Sequence, residues 1–160
     1  EDASHALPLL VHTPLAGVLH AAGILRDGLL RSKTAISMDA VFAPKALAAS
    51  LVQCALQPSP LEALCLLSSV AATFGNVGQA AYAAASSYLD GLGVVRCGCG
   101  LPSSSGQFPP VLEAGMGAST VDAGRLSRGG AISLEQMEMC LTMALPTTLL
   151  PATSLPALRS

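Results

Sequence analysis

The stretch from residue 64 to residue 90 constrains the fold of this chain more than any other. It begins with four apolar residues, Leu64–Leu67, which two serines follow, and a short apolar run bounded by turn residues is typical of a strand buried on both faces. A turn with two glycines comes next, and then an alanine-rich run that favours a helix. The sequence therefore predicts a strand, a turn and a helix in close succession.

Hydroxyl groups from this strand and this helix can meet. Ser68 and Ser69 end the predicted strand, and Tyr82 lies one turn before Ser86 on the same face of the predicted helix. A serine at the carboxyl end of the strand can thus face the phenol. Such a pair suits hydride transfer to a carbonyl, because the developing alkoxide needs a hydrogen bond from one group and a proton from another.

A phenol needs a nearby cation to act in this way at neutral pH. The pKa of an unperturbed tyrosine is ~10, and a positive charge beside it favours the ionised form. Lys33 lies in a polar stretch that is typical of a surface, whereas Lys45 lies in an apolar one and is the better candidate. Lys45 falls within residues 37–56, where apolar residues recur at steps of three and four and predict an amphipathic helix. We expect Pro44 to kink this helix or to start a new one at Lys45.

The other predicted elements are less distinctive. Apolar residues predict a strand at 15–20, and a further strand at 103–108 ends at two prolines. The helix that carries Tyr82 is expected from Gln79 to about Arg96, and another helix from Ser133 to Leu145. The glycine- and serine-rich segment that continues to Gly130 suits a mobile flap.

Composition and charge exclude several classes of function. Charged residues make up 11% of the chain and aromatic residues 3%, and a net charge of −2 offers no basic surface for nucleic acid. Every apolar run is broken before about 18 residues, so no membrane span is predicted. The five cysteines favour reduced thiols in an intracellular, cytoplasmic protein. No metal site is expected, because Cys97 and Cys99 lack a second pair of ligands.

Four motifs in the same order resemble the ketoreductase domain of modular polyketide synthases and animal-type fatty acid synthases, a branch of the short-chain dehydrogenase/reductase superfamily. They span nearly the whole chain, and they are Gly17–Gly23, Val41–Lys45, Leu67–Ala71 and Gly78–Ala85. The resemblance implies an α/β fold with a Rossmann-like, doubly wound parallel sheet. It also implies NADPH-dependent reduction of a β-ketoacyl thioester, carried on the phosphopantetheine arm of an acyl carrier protein beside other synthase domains.

The resemblance assigns catalytic roles. Ser69 lies 13 positions before Tyr82, as in the resembled enzymes, and would hydrogen-bond the substrate carbonyl. Tyr82 would donate the proton, and Lys45 would lower the pKa of Tyr82 and hold the cofactor ribose. Ser86 occupies the position where these ketoreductases have asparagine, and a hydroxyl offers fewer hydrogen bonds than an amide.

Further residues are assigned to cofactor and substrate by the same resemblance. Besides Lys45 and Tyr82, the residues expected to bind NADPH are His20, Ala21, Ala22, Gly23, Ser68 and Pro109. Gly115 and Met116 match a lid over the substrate, and Asp27 matches an aspartate linked to the side from which substrate enters. An exposed aspartate in a turn explains Asp27 almost as well. Phe108 and Val111 depart from the tryptophans of the resembled family.

The resemblance also sets the domain organisation. Residues 1–145 are expected to form part of a ketoreductase catalytic subdomain, and 146–160 a linker or disordered tail rich in Pro, Ser and Thr. The first strands and the Gly-rich turn that cradles the pyrophosphate are missing, so the isolated chain is expected to bind NADPH poorly and to be inactive. Two hypotheses remain open: a reductase within a larger synthase, or a catalytically incomplete fragment that acts only as a structural or docking module.

Overall fold

The computed structural model describes residues 15–56, 60–112, 114–118 and 130–145. The strands are β1 (Gly17–His20), β2 (Ala63–Ser69) and β3 (Ser104–Phe108). The helices are α1 (Ala35–Phe42), α2 (Ala48–Leu56), α3 (Ala71–Phe74), α4 (Ala80–Gly98), α5 (Gly115–Ala118) and α6 (Leu134–Ala144). A 3₁₀ turn lies at Leu30–Ser32, and a π turn at Ala43–Leu47 joins α1 to α2.

The three strands form one parallel sheet in the order β1, β2, β3. Helices α1 and α2 connect β1 to β2, and α3 and α4 connect β2 to β3, as parallel strands require. This confirms the predicted Rossmann-like α/β class. Within the described residues β1 has a partner strand on one side only. A shallow cavity of about 230 Å³ lies beside β1 at the amino-terminal end of the sheet, and it is lined by Gly17, Val18, Leu19, Ala63 and Leu145.

The core lies between β2 and the helices α2 and α4. Leu64 and Leu66 are fully buried, and both pack with Ala49 of α2 and Leu89 of α4. Because the two leucines are two positions apart, they point to the same face of the sheet. Burial of each leucine contributes about 2 kcal/mol to stability. This packing fixes where along β2 the helices α2 and α4 cross the strand.

The region around Pro44 differs from the prediction. Instead of a kink or a fresh start, the helical run widens into the π turn and then continues as α2. Proline has no N–H and crowds the carbonyl four residues before it, and a wider turn accommodates both effects. The Ala48 N–H donates to the carbonyl of Ala43 across this turn. The π turn buries Lys45 and Ala46.

The helix α4 sits close to the sheet because its buried face carries small residues. Ala81, Ala85 and Gly93 are buried, and a Cβ added at Gly93 would lie 3.3 Å from the Ser105 Cβ of β3. The helix spans Ala80–Gly98, close to its predicted extent. Side chains on its inward face can therefore reach β3 as well as β2.

The helical run 35–56 has 22 residues and a mean hydropathy of 1.4, so by length and composition alone it could cross a membrane. Val41, Lys45 and Ala49 of this run are buried against the rest of the protein. That packing is typical of a core helix, and a buried lysine is unfavourable in a lipid-facing one.

The carboxyl-terminal helix confirms its prediction. Helix α6 begins after Ser133, whose hydroxyl accepts from the N–H of Gln136, and Ser133 and Gln136 form a capping box. All five cysteines are free thiols. The predicted tail at 146–160 and most of the predicted flap, 119–129, lie outside the described residues.

Candidate active site

The candidate site lies at the carboxyl edge of the sheet. β1 ends there at His20 and β2 at Ser69, and α4 begins there at Ala80. In open parallel sheets this edge is where ligands bind. The cavity beside β1 lies at the opposite edge and contains none of the predicted site residues.

Lys45 projects from the π turn into this edge. Its residue is 3% exposed, and its Nζ donates to the carbonyl of Leu67, 3.0 Å away on β2. Nζ also lies 3.5 Å from Oη of Tyr82 and 4.6 Å from the centre of the phenol ring. The 3.5 Å contact is long for a hydrogen bond, but it puts the amine within reach of the phenolic oxygen.

Ser69 completes the cluster. Its hydroxyl lies close enough to the Tyr82 phenol to favour the phenolate and so to lower the pKa of Tyr82. Its Oγ also accepts from the N–H of Ala71 at 3.2 Å, which fixes the side chain at the start of α3. The structure therefore brings together a phenol, a hydroxyl and an amine from α4, β2 and the π turn.

Burial dominates the ionisation of Tyr82 and Lys45. Burial lowers the pKa of Lys45 to about 8, and the negative charge of Asp90 raises it in part. Burial raises the pKa of the Tyr82 phenol, and the Ser69 hydroxyl opposes that rise. The expected lowering of the Tyr82 pKa is thus the reverse of the direction found. The reason is that loss of solvent costs the phenolate more than its polar neighbours return.

His20 lies at the end of β1 and is bonded to the π turn. The ring is buried, and its Nε2–H donates to the backbone carbonyl of Lys45 at 2.9 Å. This bond ties the end of β1 to the π turn. The described geometry gives His20 the role of a support for Lys45, while its contact with a cofactor stays a prediction.

Ser68 and Ser86 are joined by a hydrogen bond. The Ser68 hydroxyl donates to the backbone carbonyl of Ser86 at 3.0 Å, because alternation along β2 turns Ser68 toward α4. Ser86 is fully buried, and its Oγ has no hydrogen-bond partner among the described residues. Neither hydroxyl is bonded to Lys45, Tyr82 or Ser69 in the described part of the chain.

Gly23 and Met116 lie beside the amine. A Cβ added at Gly23 would be 3.6 Å from Met116 Cε and 3.8 Å from Lys45 Nζ. The side chains of Met116 and Lys45 therefore pack against the backbone at Gly23, and Ala21 and Ala22 next to it are exposed. Gly115 starts α5 with a φ of 81°, a left-handed conformation that favours glycine.

Asp27 and Pro109 lie at the periphery of the candidate site. The Asp27 carboxylate accepts from Nε2 of Gln79 at 3.2 Å, just before α4 begins. The Gly28 N–H donates to the Gly78 carbonyl at 3.0 Å, so the loop after β1 is tied to the start of α4. Pro109 directly follows β3 at the same edge.

The sequence prediction missed two groups. The Leu67 carbonyl orients the amine of Lys45, and no side-chain pattern signals a backbone acceptor. Asp90 acts on Lys45 through its charge. Asp90 follows Tyr82 and Ser86 at steps of four, so helix periodicity alone puts it on the same stripe of α4.

The residues present fit one end of a dinucleotide. The amine of Lys45 and the phenol of Tyr82 can hydrogen-bond ribose hydroxyls, and the exposed Ala21 and Ala22 have side chains small enough for a ligand to approach the backbone. Within the described part of the chain, no connection between a strand and a helix carries a Gly-x-Gly-x-x-Gly turn for the pyrophosphate. The fit is therefore to the nicotinamide and its ribose.

The parallel sheet and its crossover helices define a Rossmann-like protein of the short-chain dehydrogenase/reductase class. The chain belongs to the KR domain family, whose family model matches residues 3–113. The solved "Structure of A1-type ketoreductase" aligns with a TM-score of 0.82 and 32% identity over 90% of this chain and 32% of that one. "The first ketoreductase of the tylosin PKS" gives a TM-score of 0.79 and 32% identity, over 89% of this chain and 32% of that one.

Curated relatives are much longer. The polyketide synthase GfsB of Streptomyces halstedii is 40% identical over 130 residues, which cover 81% of this chain and 2% of the synthase. The component PikAII of the pikromycin polyketide synthase of Streptomyces venezuelae is 40% identical over 136 residues, or 81% of this chain and 4% of that protein. The chain thus corresponds to a small segment of these multidomain proteins.

Proposed function

We propose that this chain takes part in the NADPH-dependent reduction of a β-ketoacyl thioester to the β-hydroxyacyl thioester. The observation that carries the proposal is the convergence of Lys45, Tyr82 and Ser69 at the carboxyl edge of the sheet. The KR domain family supports a ketoreductase in general terms. The choice of NADPH and of a thioester substrate comes from the resemblance to synthase ketoreductases.

The proposed roles follow from the three side chains. Ser69 donates a hydrogen bond to the keto oxygen, and Tyr82 transfers its phenolic proton to that oxygen as the alcohol forms. NADPH, when bound against Lys45, Tyr82 and Gly23, supplies the hydride. The ammonium of Lys45, 3.5 Å from the phenolic oxygen, stabilises the phenolate that Tyr82 becomes.

The ionisation states at neutral pH suit these roles. Because the pKa of Tyr82 is raised, the phenol keeps its proton until the alkoxide accepts it. Because the pKa of Lys45 is about 8, most of the amine is still protonated at neutral pH. Tyr82 is then the acid and Lys45 the fixed positive charge.

Substrate and partners follow from the same proposal. Met116 and Gly115 would cover the acyl chain, and Asp27 would lie where the substrate enters. The substrate would arrive on the phosphopantetheine of an acyl carrier protein, alongside other domains of a cytoplasmic synthase. The relatives, which are polyketide synthase proteins, support these partners.

A structural or docking module is the second candidate. The observation that favours it is the Ser86 hydroxyl, which is fully buried without a partner at a position where the resembled enzymes have asparagine. A chain without a complete set of proton-transfer groups would serve only as a packing element of a larger protein.

One assay separates the two candidates. The longest polypeptide that contains this chain is mixed with a β-ketoacyl thioester and NADPH, and both nicotinamide absorbance and the acyl product are followed. Formation of the β-hydroxyacyl thioester in step with NADPH oxidation supports the reductase. A folded protein that forms no product with either NADPH or NADH contradicts the reductase and favours the module.

A further inference from the structure

The carboxylate of Asp90 is held by side chains from β3. Its Oδ1 accepts from the Ser105 hydroxyl at 2.7 Å, and its Oδ2 accepts from Nε2 of Gln107 at 2.8 Å. The Gln107 Oε1 accepts in turn from the hydroxyl of Thr73 at 2.7 Å. One polar network therefore connects α3, β3 and α4, and its two bonds to the carboxylate are charge-assisted.

This network joins the elements that carry the site. Thr73 lies on α3, the short helix that begins two residues after Ser69. Asp90 lies two turns after Tyr82 on α4. The close approach of α4 to β3 at Gly93, where an added Cβ would be 3.3 Å from Ser105, keeps these bonds short. A change at Asp90 is thus transmitted to the spacing between Ser69 and Tyr82.

Asp90 also acts on Lys45 by charge. Tyr82 and Asp90 of α4 are the titratable groups that act on the Lys45 amine, by contact and by charge. The elements packed against the π turn, α1, α2 and α4, also carry Asp39, Cys54, Tyr88, Arg96 and Cys97, and the neighbouring strands carry His20 and Cys65. His20 is already bonded to the Lys45 carbonyl, and Cys65 is buried in β2. The negative charge of Asp90 favours the protonated amine, against the burial that lowers the pKa of Lys45 to about 8.

We propose that Asp90 is a positioning residue of the site: through Ser105 and Gln107 it holds α4 on β3 and so sets Tyr82 beside Ser69, and its negative charge favours the ammonium form of Lys45. Asp90 touches neither substrate nor cofactor in this role. The kinetic part of the inference rests on the proposed reductase function, whereas the charge on Lys45 can be measured without activity.

The direct test is the titration of Lys45 by NMR. The chain contains two lysines, Lys33 and Lys45, so protein labelled with ¹³C- and ¹⁵N-lysine gives two side-chain signals that Lys33→Arg assigns. We expect Asp90→Asn to move the Lys45 midpoint below the wild-type pKa of about 8 and to leave Lys33 in place. The matched control is Asp39→Asn, the same change at an exposed site on α1. An unchanged Lys45 midpoint in folded Asp90→Asn would overturn the electrostatic role.

Kinetics test the placement of α4. We expect Asp90→Asn to lower kcat about tenfold with KM within about twofold of wild type, because misplacement affects the reacting groups more than substrate binding. Gln107→Leu removes the hydrogen bonds of Gln107 to Asp90 and Thr73 but keeps the negative charge of Asp90. It should therefore lower kcat without moving the titration midpoint of Lys45. Loss of stability in both variants with an unchanged kcat and pH profile would make Asp90 merely structural and contradict the proposal. An inactive wild type contradicts the proposed function instead, and the titration still decides the charge on Lys45.

Discussion

Two buried polar side chains of α4 differ in their neighbours. In the amino-terminal half, residues 80–88, the phenol of Tyr82 has the Ser69 hydroxyl and the Lys45 amine as neighbours. In the carboxyl-terminal half, residues 89–98, Arg96 is 3% exposed, and its Nε and Nη1 have no hydrogen-bond partner among the described residues. Tyr82 thus lies in a matched polar cluster, whereas two of the guanidinium nitrogens of Arg96 are unmatched.

The difference separates function from stability. A buried charge without a partner costs several kcal/mol, so Arg96 weakens the fold as described, and a substitution there should not harm catalysis. Burial also disfavours the charged form of Lys45, as its lowered pKa shows. The amine of Lys45, however, has two oxygen neighbours, the Leu67 carbonyl and the Tyr82 hydroxyl. Changes at Tyr82 and its two neighbours should therefore reduce activity, and changes at Arg96 should alter stability alone.

Among the neighbours of Tyr82, the largest expected effect is at Lys45. Replacement by methionine keeps the buried stem but removes the charge that stabilises the phenolate, and we expect kcat to fall about 1,000-fold. The measurement is steady-state NADPH oxidation, with Lys33→Met as the control. A Lys45→Met protein within threefold of the wild-type rate would mean that the polar cluster around Tyr82 does not need the amine.

A smaller loss is expected at Ser69. Ser69→Ala removes one hydrogen bond to the keto oxygen, and we expect kcat to fall about 100-fold. Ser87→Ala is the matched control, because the Ser87 hydroxyl is exposed on α4 and donates only to the Ala83 carbonyl at 3.0 Å. Equal rates for the two variants would remove Ser69 from the mechanism.

At the other half, Arg96→Met should raise the free energy of unfolding by about 1 kcal/mol, because it replaces an unmatched buried cation with an apolar chain of similar length. Urea denaturation measures the change, and Arg26→Met, at an exposed position, is the control. A loss of stability would show that Arg96 has partners that the described residues do not supply.

The last expected effect is a pH dependence of stability. The pKa of Lys45 is about 8 in the fold against an ordinary 10.5, so the unfolded chain binds more protons between these values and stability rises with pH. The raised pKa of Tyr82 has the opposite effect above pH 10, where the folded phenol keeps a proton that the unfolded chain loses. Urea denaturation of wild type and Lys45→Met across this range should show the rise only in wild type. A rise that persists in Lys45→Met would assign it to another group.

Much of the fold follows from local sequence pattern. The apolar run Leu64–Leu67 lies within β2, and the alanine-rich run formed α4 within two residues of its predicted ends. Both signals are strong because the period of a strand or helix repeats over many residues. The π turn was not predicted, because a proline within a helical pattern does not by itself distinguish a kink from a widened turn.

The site was harder to predict than the fold. The orientation of Ser68 could have been predicted from the sequence. Leu64, Leu66 and Ser68 are two positions apart along β2, so their side chains point to the same face of the sheet, toward α4. The isolation of the Ser86 hydroxyl and the raised pKa of Tyr82 depend on burial by residues distant in sequence. The charge of Asp90 on Lys45 likewise acts between separate helices.

The most direct test of the central claim uses the two tyrosines of α4. Tyr82 lies beside Lys45, whereas the Tyr88 hydroxyl shares a hydrogen bond with the Ser50 hydroxyl at 2.6 Å on the outer surface. If Tyr82 donates the proton, Tyr82→Phe should lower the single-turnover rate of NADPH oxidation by about 1,000-fold or more, and Tyr88→Phe should leave it within about twofold. A Tyr82→Phe protein that is folded and as fast as Tyr88→Phe would contradict the account.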